Sequence, residues 1–382
     1  MAAERIVVRY FNQAGLAPVS KDVEATAADA HSRFAQSLFS DRGVRLYAQI
    51  LDECRAALAE LLGLPGAQTV ALLPNATTGL NIAISELQIR PGQEILTTDQ
   101  EHPAVDLPLA ALTRRGVTVR QVPAVTHDGF VSAVGELVSR HRPAAIILSH
   151  VSYKNGRVLP VEEVGKLAAS YDIPYIVDGA QAAGHVPVDV EATRAWVYVL
   201  SGHKWLHGPM GSGAMVADER FLATCTLPWS SWMWKSSRPS ARQFESGTMN
   251  VALMAGLRAA ATHAIAEGAQ RWKRMAEVRH EIIRALLDVP EWTLQDWEAE
   301  QAPGIVAYAL PDTCPSWEVS ERLSDEYQVV VKPFAPPEKP NALRISIGPW
   351  TTSEDVSQLI DAIKHVSRCP PMSRGTSMRG TA

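Results

Sequence analysis

Between residues 69 and 202, short apolar runs recur with helical patterns between them. The runs are TVALLP (69–74), EILTTD (94–99), TVRQVP (118–123), AAIILSHVS (144–152), PYIVDGA (174–180) and WVYVLSG (196–202). Several are unbroken rather than alternating. Strands buried on both faces of a helix-covered parallel sheet read that way. The segments GLNIAISEL, VSAVGELVSRH and VEEVGKLAASYD carry the helical period. This alternation predicts a doubly wound α/β domain over roughly residues 20 to 250.

The character changes near Glu267. The long helical pattern AQRWKRMAEVRHEIIRALLD is followed by strand-like GIVAYAL, helix-like SWEVSERLSDEY, strand-like YQVVVKPF and ALRISIG, and a last helix SEDVSQLIDAIKHVS. These predict a smaller α+β domain, with Ser353 as N-cap of the last helix. A chain of 382 residues is long enough for two cores. The tail CPPMSRGTSMRGTA lacks the apolar residues that offset ordering entropy, so disorder is expected there. A net charge of −5 argues against nucleic acid as the main partner. Four scattered cysteines, Cys54, Cys225, Cys314 and Cys369, suggest neither a disulfide framework nor a zinc site and fit a reducing compartment. MAAERIVVRYF lacks the apolar core of a signal peptide, and no run is long enough for a membrane helix. The cytoplasm is the expected location.

Ligands of open α/β sheets sit beyond the carboxyl ends of the strands. After VALLP comes Asn75-Ala76-Thr77-Thr78-Gly79, which either caps a helix or offers a phosphate several donors. After EILTTD comes Gln100-Glu101-His102-Pro103, where His102 is either a loop residue or a group that stacks on a flat ring. Asp178 ends an apolar strand, so its carboxylate is partly desolvated and needs a partner, either a helix N-terminus or a cationic ring nitrogen. Lys204 follows the next strand, crowded by Gly202, Trp205 and the turn GPMGSG. Desolvation lowers a lysine pKa and makes the amine nucleophilic toward an aldehyde. An aldehyde-reactive lysine, an aspartate for a pyridinium and a phosphate cradle are the three groups that pyridoxal phosphate requires.

These residues resemble the class V aminotransferase family of pyridoxal-phosphate enzymes, most of all the branch of cysteine desulfurases, cysteine C–S lyases and isopenicillin-N-epimerase-like proteins. The motifs VDGAQAAGH and SGHKWLHGPMGSG carry the likeness, which runs from YFNQAGLAP to ALRISIGPWTTSEDV. It implies an aspartate-aminotransferase-like, fold type I architecture with a mostly parallel seven-stranded sheet and a smaller α+β C-terminal domain. Residues 1–20 would pack at the active site, 21–250 would form the cofactor-binding domain, and 251–370 the small domain with its connecting helix. The tail is 371–382. The resemblance makes Lys204 the covalent attachment point of pyridoxal 5'-phosphate, Asp178 the partner of its ring nitrogen, and Gln181 a partner of its ring hydroxyl. Ala76, Thr77, Ser201 and His203 become phosphate ligands, and His102 the ring-stacking residue. Thr248, in FESGTMN, would reach the phosphate of a neighbouring subunit, which implies a homodimer. Arg344 would clamp a substrate carboxylate, although alone it reads as a strand-surface ion pair.

The sequence also departs from that branch. Tyr153 stands where desulfurases place an asparagine, with Asn155 the nearest one. Both are candidates for substrate contact. The stretch VVVKPFAPPEKPNALR holds no cysteine, which speaks against persulfide-forming desulfuration. A small-molecule amino acid substrate and a lyase acting by β-elimination on a cysteine-derived compound are the expectation. Aminotransferase, epimerase and an inactive ligand-binding relative are the alternatives. The segment LPWSSWMWKSSRP (227–239) either walls the site or packs a dimer interface.

Overall fold

The computed structural model describes residues 8–38, 40–124, 126–226, 240–295, 300–335 and 340–368. The tryptophan-rich segment 227–239, the tail 371–382 and Cys369 lie outside the described residues. The chain divides into two compact units. The larger comprises residues 13–273 and 297–303, and the smaller residues 1–12, 274–296 and 304–382.

The larger unit is built on seven strands: β1 (Val70–Leu73), β2 (Glu94–Thr98), β3 (Thr118–Val122), β4 (Ala145–Ser149), β5 (Tyr175–Asp178), β6 (Val197–Ser201) and β7 (Gly213–Ala217). Their order is β1-β7-β6-β5-β4-β2-β3. The pairs β3–β2, β2–β4, β4–β5 and β5–β6 are parallel, and only β7 runs antiparallel, against both β6 and β1. β4, β5 and β6 are buried along their whole length, which explains their unbroken apolar runs. Alternate side chains feed two cores. Leu72, Leu96, Ile146, Val177 and Tyr198 face one side of the sheet, and Leu73, Ile95, Ile147, Ile176 and Val199 the other. The two-sided covering fixes which residues emerge at the strand ends.

Helix Val161–Ser170 returns the chain between β4 and β5, and three further helices, each with a side-chain N-cap, return it between earlier strands. These three span Ala76–Glu86, Pro103–Thr113 and His127–His141, and their N-caps are Asn75, His102 and Thr126. Asn75 caps through its Oδ1, which accepts the Thr78 N–H at 2.9 Å. The helix Val251–Leu286 starts earlier than its sequence pattern suggests. Gly268, at φ +43° and ψ −129°, interrupts it, and the pattern legible in sequence is the half after that break.

The smaller unit holds an antiparallel sheet in the order Lys332–Phe334, Ala342–Ser346, Ile305–Ala309, Thr293–Leu294. Helices Ser316–Tyr327 and Ser353–Arg368 bury Val319, Leu323, Val356, Leu359 and Ile363 with Leu343 and Ile345 of the sheet. One expectation is corrected here. Ser353 is the first helical residue, and the cap is Thr352. Its Oγ1 accepts the Asp355 N–H at 3.1 Å, while Asp355 Oδ2 accepts the Thr352 N–H at 3.0 Å. This reciprocal pairing satisfies two donors at once, which Ser353 in the first turn would not do.

Candidate active site

The carboxyl ends of β1, β2, β4, β5 and β6 bring most of the sequence-derived candidates to one end of the larger unit's sheet. Asp178 closes β5 in register with Val199 of the parallel β6, so it and Lys204 leave adjacent strands. The Asp178 carboxyl is buried, and Oδ1 accepts the Ala180 N–H at 2.9 Å. Burial pushes its pKa up, while the Lys204 charge and that hydrogen bond pull it down. A desolvated carboxylate beside a cation is suited to remain ionised and to hold a second positive group.

Lys204 sits in a loop that is closed on itself. Gly202 N–H donates to Ser212 O at 2.8 Å, His207 N–H to Lys204 O at 2.9 Å, and Gly208 N–H to Gly202 O at 2.8 Å. Gly202 and Gly213 are required by close approach. A Cβ on Gly202 would lie 2.5 Å from Ser212 Oγ, and one on Gly213 2.9 Å from Asn75 Cα. Trp205, fully buried, anchors the next position. Its ring stacks on His185 with centroids 3.5 Å apart and an 11° interplanar angle, and its Nε1–H donates to Gln181 Oε1 at 2.7 Å. Gln181 Nε2 in turn donates to Ala14 O at 2.9 Å. Both ends of the Gln181 amide are thus engaged, leaving one N–H and one lone pair for a ring hydroxyl.

The cradle is assembled from β6 and the helix Ala76–Glu86. Ala76, expected to offer its N–H to a phosphate, donates it to Ser201 Oγ at 3.1 Å. Because Ser201 accepts there, its own proton is left to point elsewhere. Thr77 is exposed at the second helical position, outside this capping network. His203 Nδ1 is buried with no hydrogen-bond partner among the described residues, and burial with the Lys204 charge lowers the pKa of the ring. A helix N-terminus, a free hydroxyl proton and an orphaned imidazole nitrogen suit a phosphate group.

His102 caps its helix, Nδ1 accepting the Ala104 N–H at 3.1 Å, so the ring proton is assigned to Nε2. Tyr153, buried, meets the imidazole edge-on at 4.8 Å between centroids. Asn155 Oδ1 accepts the Arg157 N–H at 3.3 Å. Thr248 is exposed on the turn before the long helix. That turn is pinned on both sides. Glu245 takes Arg55 Nε at 2.8 Å and the Leu72 N–H at 2.9 Å, and Met249 N–H donates to Tyr47 Oη at 2.7 Å. Arg344 belongs to the smaller unit, buried on its strand with Nη2 donating to Asn12 Oδ1 at 2.9 Å.

Glu101 was passed over in the sequence as one member of a loop. It is 1% exposed and receives three hydrogen bonds. Unlike Asp178, it does not close its strand: it stands three residues past Thr98, behind Asp99 and Gln100.

A mixed, mainly parallel seven-stranded sheet with a lysine, an aspartate and a phosphate-suited turn at its carboxyl edge defines a fold type I enzyme of the pyridoxal-phosphate class. The chain belongs to the aminotransferase class-V family, which it matches over residues 9–359. It is 28% identical to a probable cysteine desulfurase of Mycolicibacterium paratuberculosis over 68% of this chain and 39% of that one, so it spans well under half of that relative's length. It is also 28% identical to isopenicillin N epimerase of Streptomyces clavuligerus, over 82% of this chain and 84% of that one. Among solved structures, the cystine C–S lyase C-DES in complex with its reaction product cysteine persulfide aligns with a TM-score of 0.85, covering 96% of this chain and 99% of that chain at 24% identity. The family is pyridoxal-phosphate dependent, and the residues just described fit that group.

Proposed function

We propose that this chain is a pyridoxal-phosphate-dependent carbon–sulfur lyase that carries out β-elimination on a cysteine-derived amino acid. When bound, the cofactor supplies an aldehyde for amines and an electron-accepting ring that acidifies the substrate Cα–H. Lys204 Nζ would hold the cofactor through its aldehyde, and its free amine would take the substrate Cα proton and return one to the departing sulfur. Asp178 keeps the ring nitrogen protonated. His102 would pack against the ring, and Gln181 has one N–H left that it would give to the ring hydroxyl. Ser201 Oγ–H, His203 Nδ1, Thr77 and the Ala76 turn receive the phosphate. Arg344 clamps the substrate carboxylate with a planar fork that lysine lacks. Tyr153 and Asn155 line the substrate side, and Thr248 completes the phosphate site of a second subunit in a homodimer.

The observation that carries the lyase reading over persulfide-forming desulfuration is the state of the thiols. The stretch before Arg344 contains none. Burial pushes Cys54 and Cys225 up to about 12 and raises Cys314 too. A thiol held protonated is a poor nucleophile. The likeness to a cystine C–S lyase supports the same reading. Epimerisation is the second reading, favoured by the similarity to isopenicillin N epimerase.

An absorbance spectrum of the purified protein and of Lys204→Ala, followed by a panel of sulfur amino acids, tests this. Wild type is expected to show a lysine-linked chromophore that Lys204→Ala lacks. Pyruvate with released thiol or sulfide marks the lyase. Deuterium wash-in at Cα with inverted product marks an epimerase, and keto-acid exchange an aminotransferase. A wild type with no chromophore after addition of pyridoxal phosphate overturns the proposal.

A further inference from the structure

Glu101 lies immediately before His102, yet its side chain turns back into the sheet. Oε1 accepts Thr98 Oγ1–H at 2.7 Å and the Ser149 N–H at 3.0 Å, and Oε2 accepts Ser149 Oγ–H at 2.7 Å. Thr98 ends β2 and Ser149 ends β4, and Ser149 is the residue in register with Asp178. The next residue of β4's exit, His150, donates its N–H to Asp178 O at 2.9 Å. One carboxyl therefore ties the turn that carries His102 to the end of β4, and the exit of β4 is hydrogen-bonded in turn to Asp178 of β5.

We propose that Glu101 is a positioning residue. Its buried carboxyl fixes the separation between the ring-covering His102 and the ring-nitrogen partner Asp178. The proposal rests on the pyridoxal-phosphate reading above. A carboxyl is suited to this task, because two oxygens take three donors from two strands without a flexible stem. Burial raises its pKa to about 7, opposed by the Thr98 and Ser149 hydrogen bonds and assisted by the nearby Asp178 charge. A brace that is neutral part of the time suits a position beside a second carboxylate, where two fixed negative charges would repel.

The test uses the full chain with Glu101→Ala, Glu101→Gln and Ser149→Ala. Melting of the cofactor-free protein, the dissociation constant for pyridoxal phosphate, and the visible circular dichroism of the bound form are read for each. Glu101→Ala is expected to bind pyridoxal phosphate roughly tenfold or more weakly, with a changed dichroic band and a melt that stays cooperative. Glu101→Gln, which keeps an acceptor and a similar shape, should recover most of the band, and Ser149→Ala should lie between. A folded Glu101→Ala with wild-type dichroism and affinity overturns the proposal and leaves the cofactor reading intact. Should Glu101→Ala not fold, Ser149→Ala decides, because an unchanged band in that variant also overturns it. A wild type that binds no pyridoxal phosphate removes both readings together.

Discussion

The turns after β2 and β5 each bury one carboxyl at the same edge of one sheet, and their surroundings differ. Asp178 has the Ala180 N–H and the charge of Lys204 acting on it. Glu101 has two hydroxyls, one amide and the repulsion of Asp178. Burial is the largest effect on both. In a low dielectric an acid stays charged where a cation offsets desolvation, and it takes up a proton where only dipoles face it. The same side-chain chemistry thus serves charge in one turn and connection in the other.

Replacing the charge should hurt most at Asp178. Asp178→Asn keeps the shape and removes the anion. We expect turnover on the preferred sulfur amino acid to fall about a thousandfold, roughly 4 kcal/mol of barrier, while the lysine-linked chromophore persists. Glu101→Gln should stay within about tenfold of wild type, since neutral dipoles already surround it. Steady-state kinetics on the two variants decide the matter, and equal losses would break the comparison. Next in size is Gly179→Ala, a change of backbone space alone. The new Cβ would lie 2.1 Å from Tyr198 Cε1, and that tyrosine is held on the reverse face by His150 Nδ1 at 3.0 Å from its hydroxyl. Overpacking there should cost about 2 kcal/mol, measured as a lower unfolding midpoint, with the Asp178 turn displaced and pyridoxal phosphate binding weakened.

How much of this was legible beforehand follows from the range of each interaction. Five strands of the larger sheet, β1, β2, β4, β5 and β6, are visible as apolar runs because burial on both faces leaves little alternation to decode, while the edge strand β3 is only partly buried. β7 was not visible, since Gly-Ala-Met-Val-Ala reads as the end of a glycine turn. Its antiparallel pairing with β1 and β6 supplies what the segment lacks locally. Lys204 and Asp178 could be singled out because each is a polar residue directly after an apolar run. Glu101 stands three residues past its strand, behind Asp99 and Gln100, and its Ser149 donor lies 48 positions away, so nothing local announces it. Gln181 carries the same lesson. Its partners Trp205 and Ala14 are 24 and 167 positions off, so the sequence could show its place and not its engagements. The Thr352 cap was missed by one residue, because Thr-Thr-Ser offers three equivalent candidates and only the bonds to Asp355 choose between them.

The remaining predictions use pH to separate the two acids. Glu101 moves from its ordinary 4.5 to about 7 on folding. The folded state therefore holds a proton that the unfolded state has released between those values. Its contribution to stability is full below about 4.5 and is lost as pH rises through about 7, roughly 3 kcal/mol across the window. His150, His185 and His207 work in the opposite sense. Burial lowers them to about 4, 3 and 3, so they withdraw stability as pH falls below the ordinary histidine range. Wild-type melts alone would blend these slopes. The difference between wild type and Glu101→Gln isolates the acid, and it should fall steadily between pH 4.5 and 7 and then level off. A flat difference would mean that Glu101 is ionised throughout and that the two turns are electrostatically alike. The smallest effect is expected for Thr98→Val. It removes a hydrogen bond that favours the charged form, worth about 1 kcal/mol. The midpoint of the difference curve should move to higher pH by under one unit, because the remaining surroundings of Glu101 oppose its charge more strongly. A shift to lower pH would show that the Thr98 hydroxyl accepts from a protonated Glu101 instead of donating to its carboxylate, so that this hydrogen bond favours the neutral form.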